Sequence, residues 1–146
     1  MISGFQGKYR FLSNFYPCPS GITLGAFVFR TVEHAYQAAK SMKYEDHKKI
    51  WECDTPGQAK KVGRKLTLRP DWDYKKLDMM LALVREKFAN NRELRELLLA
   101  TGEEELVEEN YWKDTFWGVY EGRGHNHLGK ILMKVRGELK DDSTRT

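Results

Sequence analysis

The chain has 146 residues, 40% of them hydrophobic, and a net charge of +4, which is the length of one ordinary domain with enough apolar material for its own core. No apolar run of about 18 residues is present and the first fifteen residues lack the apolar centre of a secretion signal, so a soluble, cytoplasmic protein without a membrane partner is expected. Cys18 and Cys53 stand far apart with no Cys-x-x-Cys spacing, which argues against a disulfide framework and against a structural zinc site.

Up to Arg30, aromatic and β-branched residues are punctuated by Gly4, Gly7, Pro17, Pro19, Gly21 and Gly25, a texture of short strands and turns in which Ile22 to Arg30 is the best strand. Thr31 is placed to cap a helix from Val32 to about Met42. Thr55-Pro56-Gly57-Gln58 combines a capping Thr, a Pro at the first helical position and a Gln three residues after the cap, and predicts a helix to about Leu66. Leu77, Met80, Leu81, Val84 and Phe88 recur at helical spacing and predict a long helix from about Tyr74 to Ala89. Leu94, Leu97 and Leu98 mark a second helix that Thr101-Gly102 should end. Leu128, Ile131, Leu132, Val135 and Leu139 mark the last. All these stripes read as core. No repeat or linker divides the chain, so residues 1–140 read as a single domain and 141–146 as a flexible polar tail. The expected fold is mainly α (α+β), a compact helical bundle with a small N-terminal β element.

Charge is unevenly placed. Between Lys40 and Arg69 nine cationic residues, Lys60 and Arg64 among them, outnumber four acidic ones, whereas Glu103, Glu104, Glu105, Glu108 and Glu109 reverse the bias. A dipolar surface is expected, with its basic side attractive to phosphate. Glu33, Gln37 and Lys40 stand at i, i+4 and i+7, one polar stripe along a helix whose other faces carry Val32, Ala35, Tyr36 and Ala39.

Four blocks carry a family resemblance: Phe11-Leu12-Ser13-Asn14-Phe15-Tyr16-Pro17, Glu33-His34-Ala35-Tyr36-Gln37-Ala38-Ala39-Lys40, Asp114-Thr115-Phe116-Trp117-Gly118, and Gly124 through Met133. Together with Ala59–Arg64 and Leu98–Gly102, in order from about Phe5 to Leu139, the chain resembles the NADAR (YbiA-like) family. The resemblance implies a compact, mainly helical domain with a small β element. It also implies cleavage of N-glycosidic bonds in ribosyl compounds linked to riboflavin synthesis, NAD or ADP-ribose, including ADP-ribosylated guanine in some members.

The residues suit that chemistry. Breaking a ribosyl C–N bond builds oxocarbenium character at the anomeric carbon, which a fixed carboxylate can stabilise or relieve through an activated water, and Glu33 is the candidate. Lys40 is either a phosphate contact or, with a lowered pKa, an amine that forms a Schiff base with the opened sugar. Asp114, among Tyr111, Trp112, Phe116 and Trp117, is the candidate proton donor. Asn14 and Asn126 can read hydroxyls or a base edge, and Phe15 or Trp117 can stack on the base; capping and turn roles compete for both Asn residues. The resemblance completes the binding set with Arg10, Ser13, Tyr36, Gln37, Lys60, Arg64 and Gly118. Backbone N–H groups around Gly122, Gly124 and Asn126 offer a phosphate cradle before the last helix. Taken alone, without the surrounding blocks, Glu33 and Lys40 read first as an exposed helical charge pair.

No P-loop ending follows Gly57 or Gly63, and Ala38 stands where a helical zinc motif would need a second His after His34. A metal-independent enzyme without a cofactor is therefore expected. Its partner would be a small ribosyl phosphate or an ADP-ribosyl group, the latter free or on a nucleic-acid strand from which the base would have to be unstacked. Two rivals remain from other classes: a non-catalytic ADP-ribose or nucleotide-binding module, and a protein that binds nucleic acid through its basic patch.

Overall fold

A computed structural model of the chain describes residues 1–144. Among them are six α-helices, one short 3-10 helix and four short strands, so the protein is mainly helical with α+β character. No helix among the described residues is long and apolar enough to cross a membrane. The chain gathers into two compact units, one formed by Asn14–Asn91 and the other by Met1–Ser13 with the chain from Arg92 onward.

In the Asn14–Asn91 unit, β2 (Ile22–Leu24) and β3 (Phe27–Phe29) pair antiparallel, Leu24 opposite Phe27. The single strand expected over Ile22–Arg30 is thus a tight hairpin. Gly25 at its tip has φ +58°, a left-handed backbone that would break a continuous strand and that favours a two-residue turn. Helix α1 (Val32–Ala39) follows, with the Thr31 hydroxyl accepting the His34 N–H at 3.0 Å as the cap pattern predicts. It ends at Ala39, three residues early, and Lys40 is its C-cap.

All eight residues of α1 are buried, because it packs against β2, β3 and the three helices that come next. These are α2 (Tyr44–Trp51), α3 (Pro56–Gly63) and α4 (Trp72–Asn90). No element is predicted over α2 from the sequence: five of its eight residues are polar, Ile50 is its one buried residue, and Tyr44 and Trp51 stay exposed while flanking the Phe27 ring. Both halves of the predicted capping box at Thr55 and Gln58 are present, although α3 stops at Gly63, short of Leu66.

Helix α4 buries Trp72, Met80, Leu83, Val84, Lys87 and Phe88. Leu77 of the predicted stripe is 39% exposed and Leu81 is half-buried, because the covered face centres on Met80, Val84 and Phe88 with Leu83 and Lys87 beside it. A lysine in that core was not expected. Lys87 is 1% exposed, its Nζ lies 5.1 Å from the Phe88 ring centre, and burial holds its pKa down to about 8.

In the other unit, β1 (Ile2–Ser3) pairs parallel with β4 (Leu106–Val107), and the 3-10 helix Gly7–Leu12 packs on α5 (Arg92–Ala100). Thr101-Gly102 does end α5: the Thr101 hydroxyl donates to Leu98 O at 2.6 Å, and Gly102 at φ +65° donates its N–H to Leu99 O. Leu94 and Leu98 are buried, but Leu97 is 45% exposed at the edge of the stripe and does not join the core. Helix α6 (His127–Thr144) buries Leu128, Ile131, Leu132 and Val135, while Leu139 is half-buried. Where composition predicts a polar tail from Asp141, residues 141–144 are helical. The helix carries on through Thr144, with no Gly or Pro after Gly137 to stop it, and residues 145–146 lie outside the described range.

Candidate active site

The polar stripe of α1 lies in the interior of its unit. Glu33 is 8% exposed and Gln37 3%, and Gln37 Nε2 donates to Glu33 Oε1 at 2.8 Å. An exposed charge pair is therefore excluded for Glu33. The Glu33 N–H, one of the first amides of α1, is accepted by Asn14 O at 3.1 Å, so Asn14 abuts the start of the helix. Asn14 is half-buried, with its Nδ2 3.5 Å from Met80 Sδ, and Phe15 is 39% exposed.

Lys40 is half-buried at the other end of α1, its Nζ 5.8 Å from the Tyr36 ring centre, and buried Tyr36 packs on Trp72 at 5.2 Å. Its pKa is lowered, first by burial and further by the charges of Arg64 and Lys60, against an opposing pull from Glu33. Glu33, Lys40, Lys60 and Arg64, four residues marked in the sequence, therefore act within one electrostatic neighbourhood. Such a site holds a carboxylate, an amine with an enlarged neutral fraction, and cationic groups for an anionic substituent.

His34, on the same helix, is a strut. The Cys53 carbonyl, 3.0 Å from Nε2, requires the proton on Nε2, so Nδ1 accepts the Thr31 hydroxyl at 2.8 Å. Burial lowers its pKa in keeping with a neutral ring.

The remaining marked residues belong to the other unit. Arg10 is exposed in the 3-10 helix and Ser13 caps it, half-buried. Asp114 Oδ1 accepts the backbone N–H groups of Phe116 and Trp117 at 3.0 and 2.9 Å, which shapes the turn carrying Trp117. Trp117 is half-buried edge-on to Phe116, ring centres 4.8 Å apart. Asn126 sits at φ +52°, 8% exposed, and clamps β4: its Oδ1 accepts the Glu108 N–H at 2.9 Å and its Nδ2 donates to Leu106 O at 3.0 Å. Its amide is thus a scaffold, one of the two roles open to it in the sequence. Gly118 serves close approach, because a Cβ there would stand 2.2 Å from Glu108 O.

Glu108 is the ionisable group of this unit that sequence reading missed. Within an acidic run it looked like surface, yet it is 8% exposed and its Oε2 has no hydrogen-bond partner among the described residues. Burial, helped by the nearby Asp114 charge, pushes its carboxyl up to about 7. A carboxyl whose folded pKa is raised contributes stability below its unfolded pKa that is lost as pH climbs through the folded value. Unfolding free energy should therefore fall between about pH 4.5 and 7, by roughly 1–3 kcal/mol from this group. Glu108→Gln should flatten that slope in urea melts taken across the range, and an unchanged slope would relocate the proton uptake.

A mainly helical α+β domain whose central helix bears a buried carboxylate and a half-buried, depressed lysine has the make-up of a small enzyme acting by general base or amine chemistry. The chain belongs to the NADAR domain family, whose model matches residues 4–140. It is 41% identical over 137 residues to a riboflavin biosynthesis protein of Vibrio vulnificus, covering 92% of this chain but only 36% of that longer protein. It is 42% identical over 139 residues to an N-glycosidase of Nostoc punctiforme, covering 91% of this chain and 87% of that one. The Escherichia coli N-glycosidase YbiA is 36% identical over 134 residues, 90% of this chain and 82% of its own. The NMR structure of E. coli YbiA superposes with a TM-score of 0.84 at 32% identity, over 99% of this chain and 89% of that one.

Proposed function

We propose that this chain is an N-glycosidase that hydrolyses the C–N bond between a base and a ribosyl group, with Glu33 and Lys40 carrying the reaction. Relatives matched over most of both chains bear the name N-glycosidase. The observation that carries the residue assignment is the depressed, half-buried Lys40 on the same buried helix as Glu33. Lys60 and Arg64 supply positive charge for a phosphate or diphosphate on the sugar, while Asn14 and Phe15 stand at the start of α1 to meet ribose or base.

In the covalent form of the reaction the ribosylamine opens to an iminium at C1, and the neutral Lys40 amine adds there. The C–N bond to the base then breaks, the base leaves as its protonated amine, and a Lys40 Schiff base remains. Water adds to C1 and expels Lys40, with Glu33 stabilising positive charge or taking the water's proton. No electrons are gained or lost. Two substrate classes fit: a free aminopyrimidine ribosyl phosphate, which the riboflavin-named relative favours, and an ADP-ribosyl group on guanine, free or in a nucleic-acid strand. The free thiols Cys18 and Cys53 suit a reducing, cytoplasmic setting.

The test is incubation with each class and mass-spectrometric detection of released base. Release from one class and not the other assigns the substrate. Release from neither, with ADP-ribose still bound, would replace the enzyme by a binding module.

A further inference from the structure

We infer that Gln37 is a positioning residue for Glu33 and that the bare backbone of Gly63 is the seat it needs; this rests on Glu33 carrying the reaction proposed above. The Gln37 amide is wedged between two elements. On one side Nε2 donates to Glu33 Oε1 at 2.8 Å, one helical turn back on α1. On the other, Oε1 has no hydrogen-bond partner among the described residues and lies against the end of α3. A Cβ at position 63 would stand 1.9 Å from that Oε1, 2.7 Å from Cδ and 3.0 Å from Cβ of Gln37. Any residue but glycine there would displace the amide.

An orphaned buried amide oxygen is costly, and a glutamine free to turn would aim it at a donor. Gln37 keeps it unpaired while its N–H serves the carboxylate. A donor aimed at a carboxylate favours the ionised form and fixes its rotamer. Substrate contact is not needed for this role: Gln37 acts through Glu33, and Gly63 acts through Gln37.

Three variants test it. Gln37→Leu should lower kcat about 10- to 100-fold with KM within about 3-fold, as expected for a misplaced catalytic group, and should move the acid limb of the pH–rate profile upward. Gln37→Glu should recover rate as pH falls, because once protonated it again donates to Glu33. Gly63→Ala should lower Tm by about 5 °C or more. In the double variant Gln37→Ala, Gly63→Ala the new methyl no longer meets the amide and keeps only the 3.0 Å approach to the Cβ of residue 37, so the second substitution should cost the Gln37→Ala background clearly less Tm than it costs the wild type, while the rate stays low. A wild-type rate and profile in Gln37→Leu, or a Tm cost of Gly63→Ala undiminished in the Gln37→Ala background, overturns the inference. If the wild-type protein releases no base from any substrate, the proposed function fails, and the Tm arm still decides the wedge.

Discussion

Lys40→Ala should lower base release by about 10³-fold or more and abolish any enzyme–substrate adduct trapped by borohydride during turnover. The amine is unusual for a lysine at a helix end. Burial and the neighbouring Arg64 and Lys60 charges depress its pKa, so more of it is neutral near pH 7 than of a solvated lysine. Lys40→Arg separates the two roles the sequence leaves open for this residue. Arginine keeps the positive charge for a phosphate, but its guanidinium stays protonated and cannot form a Schiff base. If amine attack is the chemistry, the Arg variant is as inactive as the Ala variant and yields no adduct. Near-normal turnover with Arg would instead make Lys40 an anion contact.

Glu33→Gln is the second large effect. The substitution preserves shape and leaves an amide oxygen for the Gln37 donor, now 2.8 Å from Oε1, while it removes the charge. The rate should fall about 10²- to 10⁴-fold, the usual yield of a positioned carboxylate or of electrostatic stabilisation at a developing cation. Thermal stability should hold or rise, because a buried carboxylate carries a desolvation cost that a neutral amide does not. Steady-state kinetics beside a thermal melt check both parts. A variant as fast as wild type would leave the reaction to Lys40 alone.

Much of the fold was legible because its signals are local. Thr31 caps α1, the box at Thr55 and Gln58 caps α3, and Thr101-Gly102 ends α5, each by contacts within a few residues. Errors arose where neighbours distant in sequence decide. Ile22–Arg30 has strand composition throughout, yet pairs with itself around Gly25. Leu77 and Leu97 have the right spacing for core but lie at its margins, 39% and 45% exposed. Helix α2, polar at five of its eight positions, packs on one side of α1 with Ile50 as its buried anchor.

The candidate site divides in the same way. The segment Glu33 to Lys40 by itself determined which side chains share a helical stripe, since that follows from 3.6 residues per turn, and motif order along the chain determined the family. Whether the stripe faced water was decided by tertiary packing: α2, α3 and α4 enclose α1, so Glu33 and Gln37 are buried and burial lowers the Lys40 pKa. Packing within the other unit sets the Asn126 amide as a clamp on β4 and buries Glu108, unremarkable in an acidic run, so that its carboxyl is pushed up to about 7. Charge state in a protein depends on dielectric and on partners, and neither exists until the chain has folded.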